Sequence, residues 1–298
     1  MLLDGGLSTA LEAAGYDLNH PLWSAHLLAE QPQALVQAHL AYLNAGARCL
    51  TTASYQASLP GFWAAGYSLP QAESLTRRSL EVAHRAIARY REQPGAAAQR
   101  PIAVAASLGP YGAYLADGSE YRGNYGVADE ELRAFHRWRI ATLEAADIPF
   151  DYFACETLPD FREAQLLAEE ISNNGTRPAW FSFSCQDERR LHDGTPLADV
   201  VRALEPYAAI FAVGVNCTAP KYVLPLIEEM RRTGTTKQLI VYPNSGEIYN
   251  PAIKQWHGLA DPHRFADQAL RWRAAGAAWV GGCCRVGPRH IAALAAAL

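Results

Sequence analysis

The chain has 298 residues, half of them apolar and 19% charged, with 26 basic against 30 acidic side chains for a formal net charge of -4. A chain of this length buries roughly 75% of its unfolded surface and needs no disulfide framework to fold. The mild acidity and the lack of a Lys/Arg block exclude the electrostatic footprint of a nucleic-acid binder or a polybasic membrane anchor.

The first strand expected is Leu2 to Asp4, and it opens no secretory leader because Asp4 interrupts the first apolar run, so a cytoplasmic protein is expected. The next is Arg48 to Ala53, after a helical pattern over Pro32 to Ala45. The longest uncharged run, Cys49 to Ala72, is broken by Gln56, Pro60, Gly61 and Pro70, which excludes a membrane span. Further along, strands at Ile102 to Ser107, Tyr152 to Cys155, Ala179 to Ser184, Ile210 to Val215, Leu239 to Tyr242 and Trp279 to Gly281 alternate with helices. Those helices are expected over Leu69 to Arg91, Asp129 to Ala146, Phe161 to Ser172, Pro196 to Glu205, Lys221 to Arg232, Pro262 to Ala275 and Pro288 to Leu298. Thr195 before Pro196 and Asp261 before Pro262 read as N-caps with proline in the first turn, and Gly46, Gly175, Gly234 and Gly276 as left-handed helix ends.

Eight βα units of about 37 residues each, with no linker between them, predict an α/β chain forming a single (β/α)8 TIM barrel domain over residues 1–298. The competing architecture, an open doubly wound sheet, lacks its GxGxxG after the first strand. A barrel places its chemistry at the C-terminal ends of the strands. There the sixth expected strand runs into Asn216 and Cys217, and the eighth into Gly282, Cys283 and Cys284. In a closed barrel one strand separates these ends, so three thiols can converge. Two readings stand at this point: buried cysteines as small core residues, or a zinc site with three thiolates and an open fourth position. Cys49, Cys155 and Cys185 sit in or beside strands and read as core, while His257 and His263 lack metal-ligand spacing and read as surface or capping residues.

The motifs DGG at Asp4 to Gly6, GVNC at Gly214 to Cys217, PNSGE at Pro243 to Glu247 and GGCCR at Gly281 to Arg285 span the chain. In these the sequence resembles the homocysteine S-methyltransferase family of zinc-dependent barrels. The branch that uses S-methylmethionine is matched through LWSA (Leu22 to Ala25), TASYQAS (Thr52 to Ser58), GPYGAYLADGSEYRG (Gly109 to Gly123), ACETLP (Ala154 to Pro159) and DGTPL (Asp193 to Leu197). The resemblance implies Zn2+ held by Cys217, Cys283 and Cys284, homocysteine as acceptor and a methylsulfonium as donor, S-methylmethionine or S-adenosylmethionine. It also turns Asp4 and Glu156, which by position alone read equally as a turn residue and a helix N-terminal charge, into homocysteine-binding residues. It sets Asn244 facing the metal, with its side-chain oxygen expected near the fourth position when substrate is absent.

The loop after the third strand carries Tyr111, Tyr114, Tyr121 and Tyr125, whose faces suit a cation that donates no hydrogen bond. With Trp23 these form the expected donor site, although such loops also serve simple packing. Other readings remain: betaine as donor, a selenol as acceptor, a phosphate-binding barrel using Gly281 and Gly282, or a passive zinc-binding protein. A Schiff-base aldolase is disfavoured because Lys221, Lys237 and Lys254 all lie outside the expected strands. Neither nucleic acid nor membrane is expected as a partner, and no oligomeric state is assigned.

Overall fold

A computed structural model describes residues 1–95, 101–250, 255–257 and 260–298, with 248–250 and 255–257 described by their backbone. In chain order the elements are α1 (Leu7–Ala13), α2 (Leu27–Glu30), α3 (Pro32–Asn44), β1 (Cys49–Thr51), α4 (Leu59–Ala64), α5 (Leu69–Arg91), β2 (Ala103–Leu108), α6 (Tyr111–Leu115) and α7 (Asp129–Glu144). They continue with β3 (Tyr152–Leu158), α8 (Phe161–Asn174), β4 (Ala179–Phe183), α9 (Leu197–Leu204), β5 (Ile210–Asn216), α10 (Pro220–Arg232), β6 (Gln238–Tyr242), β7 (Ile248–Asn250), β8 (Gln255–His257), α11 (Pro262–Ala274), β9 (Ala277–Val280) and α12 (Pro288–Ala297).

Seven strands form one parallel sheet in the order β1-β2-β3-β4-β5-β6-β9, and β7 and β8 pair separately as an antiparallel ribbon. The stretch expected as the first strand is only a pair of isolated parallel bridges, Leu2 to Val280 and Leu3 to Cys49. It nonetheless touches both outer strands: Leu3 N donates to Val280 O at 2.8 Å, Val280 N to Met1 O at 3.0 Å, Asp4 N to Cys49 O at 3.1 Å and Arg48 N to Leu2 O at 2.9 Å. Gly5 follows at once with no room for a side chain, since a Cβ there would lie 2.2 Å from Val286 O.

The strand residues divide by their period of two. Val104, Ala106, Phe181, Phe183, Val213, Val215 and Val241 pack outward in the large core formed with the helices. Leu3, Cys49, Ala105, Ala154, Trp180, Ala212, Ile240, Tyr242 and Trp279 form a second cluster on the opposite face. On that inner face small residues stand beside two tryptophans, which suits close packing. Gly214 lies so close to the next strand that a Cβ would stand 1.7 Å from Ile240 O.

Two local expectations fail. Thr195 caps nothing: α9 begins after Pro196, and Thr195 N instead donates to Asp193 Oδ1 at 2.8 Å. Gly175 is extended at φ -85°, whereas Gly46, Gly234 and Gly276 do take positive φ. Asp261 caps α11, accepting from the backbone N–H of His263 at 2.9 Å and of Arg264 at 3.3 Å. Cys49, Cys155 and Cys185 are buried free thiols. Lys254 and the side chain of His257 lie outside the described residues. No described helix is long and apolar enough to cross a membrane.

Candidate metal centre

Cys217 follows β5 directly, and Cys283 and Cys284 follow β9. Their three Sγ atoms lie within 4.8 Å of one another, with Cys217 and Cys284 3.5 Å apart. The thiols are free; Cys217 is buried and the other two are half-buried. Backbone bonds set each of them: Cys217 N donates to Tyr242 O at 3.4 Å, Cys283 N to Pro243 O at 2.8 Å, and Ser245 N to Cys284 O at 3.1 Å. Gly282 admits the turn because a Cβ there would overlap Val286 at 2.0 Å. Cys217 sits at φ 49°, a left-handed conformation that costs a non-glycine residue about 1–2 kcal/mol and persists only where surrounding structure holds it.

Hydrogen bonds from the Cys283 and Cys284 thiols, and then from Tyr121, hold Cys217 well below the usual thiol range. Its negative sulfur in turn drives Cys283 and Cys284 well above it. Three like groups this close cannot all ionise without a cation among them. Tetrahedral zinc with Zn–S near 2.3 Å sets its sulfurs about 3.8 Å apart, close to the observed separation, so the trio fits a thiophilic divalent ion with one position left for a substrate.

Asp4 is buried and receives Thr51 N at 2.8 Å and Thr51 Oγ1 at 3.1 Å. Burial nevertheless pushes its carboxyl up to about 8. Glu156 sits in a bulge of β3, where the register against β4 shifts between Cys155 and Leu158. It accepts from Ser107 Oγ, and burial, assisted by the Cys217 charge, raises it to about 7 against the hydrogen bonds of Ser107 and Tyr242. Asn244 Oδ1 is buried with no hydrogen-bond partner among the described residues, while its backbone N–H is fixed on Thr218 O at 3.1 Å.

The aromatic residues part company. Tyr121 Oη lies 3.3 Å from Cys217 Sγ, at the centre. Tyr111 donates to Glu131 at 2.5 Å and packs with Tyr114 and Phe135 at centroid distances of 5.3 and 5.1 Å, in a separate cluster beside α7. Tyr125 is bound to Glu163 at 2.9 Å. Trp23 stands edge-on to Tyr55 at 5.8 Å.

Sequence reasoning passed over Asn216, although it stands inside the GVNC string. Its Oδ1 accepts from Thr157 N at 2.7 Å and Ser182 Oγ at 2.9 Å, and its Nδ2 donates to Thr157 Oγ1 at 2.7 Å. This ties the end of β5 to the Glu156 bulge, where Thr157 is itself left-handed at φ 61°. A lone polar amide ending the apolar run from Ile210 to Val215 was the available signal, and the structure buries it fully. Ser107, Thr51 and Glu120 offered none, since each reads locally as an ordinary strand or turn residue.

The sequence pattern of a family described as Homocysteine S-methyltransferase matches residues 1–298. The chain is 46% identical over 298 residues to a homocysteine S-methyltransferase of Escherichia coli (strain K12), covering 99% of this chain and 94% of that relative. It is 42% identical to a selenocysteine Se-methyltransferase of Brassica oleracea var. italica, covering 98% and 87%. In three dimensions it is similar to the metallated form of the Escherichia coli homocysteine methyltransferase MmuM, with a TM-score of 0.87, 44% identity, and 99% and 95% of the two chains covered.

Proposed function

The chain belongs to the homocysteine S-methyltransferase family of enzymes, and we propose that it transfers a methyl group from S-methylmethionine to homocysteine at the three-thiol centre. The convergence of Cys217, Cys283 and Cys284 carries this reading. In it, residues 1–298 act as one (β/α)8 barrel domain, with Leu2 and Leu3 standing in for the first strand between β9 and β1, and the protein works in the cytoplasm.

Cys217, Cys283 and Cys284 would hold Zn2+, which when bound lowers the acceptor thiol's pKa so that a thiolate is present at neutral pH. Everything else falls to the chain's own groups. Asp4 and Glu156 take the ammonium of homocysteine: carboxyls pushed to about 8 and about 7 by burial gain their charge when a cation enters beside them. Asn244 turns its unpartnered oxygen toward the thiols, and Tyr121 covers Cys217 from the loop side. The acceptor sulfur then attacks the methyl carbon in line. A new S–CH3 bond forms, the donor's S–CH3 bond breaks, and the electron pair leaves on a neutral thioether. No proton is needed by the leaving group, so these residues work by orientation and by excluding water.

The test supplies zinc-loaded enzyme and homocysteine with S-methylmethionine, S-adenosylmethionine or betaine in turn. S-methylmethionine yields two methionines per transfer; equal or better turnover with betaine refutes the donor assignment. The selenocysteine methyltransferase relative favours a second acceptor, and the same assay with selenocysteine or selenohomocysteine measures it.

A further inference from the structure

Glu120 lies on the short turn Ser119–Tyr121, immediately before the tyrosine whose hydroxyl reaches Cys217. Its Oε2 is sealed from solvent and has no hydrogen-bond partner among the described residues. The turn itself is well held. Ser184 Oγ lies 3.4 Å from Glu120 O, and Gly112 packs so closely beneath that a Cβ there would stand 2.6 Å from Glu120 N. Arg122, two residues on, is committed elsewhere, to Asp117 at 3.2 Å and Ser119 Oγ at 3.0 Å, with its side chain largely in solvent. Asp4 and Glu156, the two other carboxyls at this mouth, both have donors on their oxygens. Burial pushes the Glu120 carboxyl above its ordinary range, against the hydrogen bond that its own backbone N–H supplies.

A buried carboxylate oxygen without a donor is costly, and the cost is relieved by a cation that brings N–H groups. A sulfonium has none. The α-ammonium of a sulfonium amino acid has three, and it is joined by a short chain to the methyl that must reach the thiols.

We propose that Glu120 is the anchor for the α-ammonium of the methyl donor, so that the enzyme selects sulfonium donors that are also amino acids. This rests on the sulfonium-donor reading given above. It assigns the donor's amine to the loop after β2, apart from the homocysteine amine at Asp4 and Glu156. It also separates S-methylmethionine from betaine: both are cations, but betaine's quaternary nitrogen offers no N–H to Oε2.

The experiment compares wild type with Glu120→Gln and Glu120→Asp, using S-methylmethionine and its N-acetyl derivative, which keeps the sulfonium and loses the ammonium. Wild type must first turn over S-methylmethionine; if it transfers methyl from no sulfonium, the donor reading falls and Glu120's role with it. Given turnover, Glu120→Gln raises KM for S-methylmethionine about 10-fold or more, the range for a hydrogen bond to a charged group, and leaves KM for homocysteine and bound zinc as in wild type. Glu120→Asp recovers part of the loss. Wild type strongly prefers the free amine, and Glu120→Gln loses that preference. Calorimetric titration of S-methylmethionine into each zinc-loaded protein reports the same weakening without turnover. An unchanged donor KM in a folded Glu120→Gln enzyme, an unaltered preference for the free amine, or a rise confined to homocysteine KM overturns the assignment.

Discussion

Arg285 Nε lies 3.1 Å from Glu247 Oε2, and this ion pair joins the loop that carries Asn244 to the turn that carries Cys283 and Cys284. Ser245 Oγ reaches the same carboxylate oxygen at 3.2 Å. The last residues of the PNSGE and GGCCR strings thus meet in space.

Glu247→Gln is expected to lower zinc affinity about 10-fold, as removal of an outer partner of a metal site does, while costing under about 1 kcal/mol of stability for a partly exposed pair. Competition with a chromophoric chelator measures the first and urea unfolding the second. Zinc affinity equal to wild type removes the pair's role at the centre.

Serine in place of Cys217, Cys283 or Cys284 is expected to abolish stoichiometric zinc retention and reduce methionine formation to background, with the helical circular-dichroism signal intact. Dialysis against a strong chelator should do the same to the native chain, and added Zn2+ should restore it. Full activity in any one of the three serine variants contradicts a three-thiolate centre.

Asn216→Ala strands the Thr157 N–H and hydroxyl in a buried, left-handed bulge. The expected loss is about 3 kcal/mol of stability, with a further fall in activity because Glu156 and Cys217 flank the bonds removed. Denaturant midpoints and steady-state rates decide it; a loss below about 1 kcal/mol shows that the bulge holds itself.

His39 on α3 is fully buried, and neither ring nitrogen has a hydrogen-bond partner among the described residues. Burial lowers its pKa to about 4, against about 6.5 for a free imidazole. Between those values the unfolded chain binds a proton that the folded chain refuses. This contribution to stability is therefore complete above about pH 6.5 and is lost on the way down to about pH 4, a total on the order of 3 kcal/mol. His39→Leu should remove that part of the acid slope and leave the variant more stable than wild type at pH 4.5. Parallel pH profiles for the two proteins would sink the prediction.

What the residues determine alone is what depends on near neighbours. The short apolar runs of β4 and β5, the helical repeat of α5, and Asp261 with Pro262 at the start of α11 are short-range patterns, and each appears in the structure where expected. The motif strings likewise disclose the family, because they are contiguous. Thr195 shows the limit: a plausible cap in sequence, it stands one residue outside the helix, whose N-cap position falls on Pro196, with its own N–H on Asp193. Tyr111 and Tyr121 look equivalent in one loop, yet one turns to Glu131 and the other to Cys217.

Those choices belong to tertiary structure. Cys217 and Cys284 are 67 residues apart in the chain, and only the curl of the parallel sheet brings their sulfurs to 3.5 Å. The left-handed backbone at Cys217 and Thr157 exists because Asn216 and the neighbouring strands impose it. The lone oxygen of Glu120 acquires meaning only once the turn that carries it is folded against the mouth. Spacing along a chain encodes local geometry; the curl of a sheet and the burial of charge are properties of the whole, and here they decide which side chains meet.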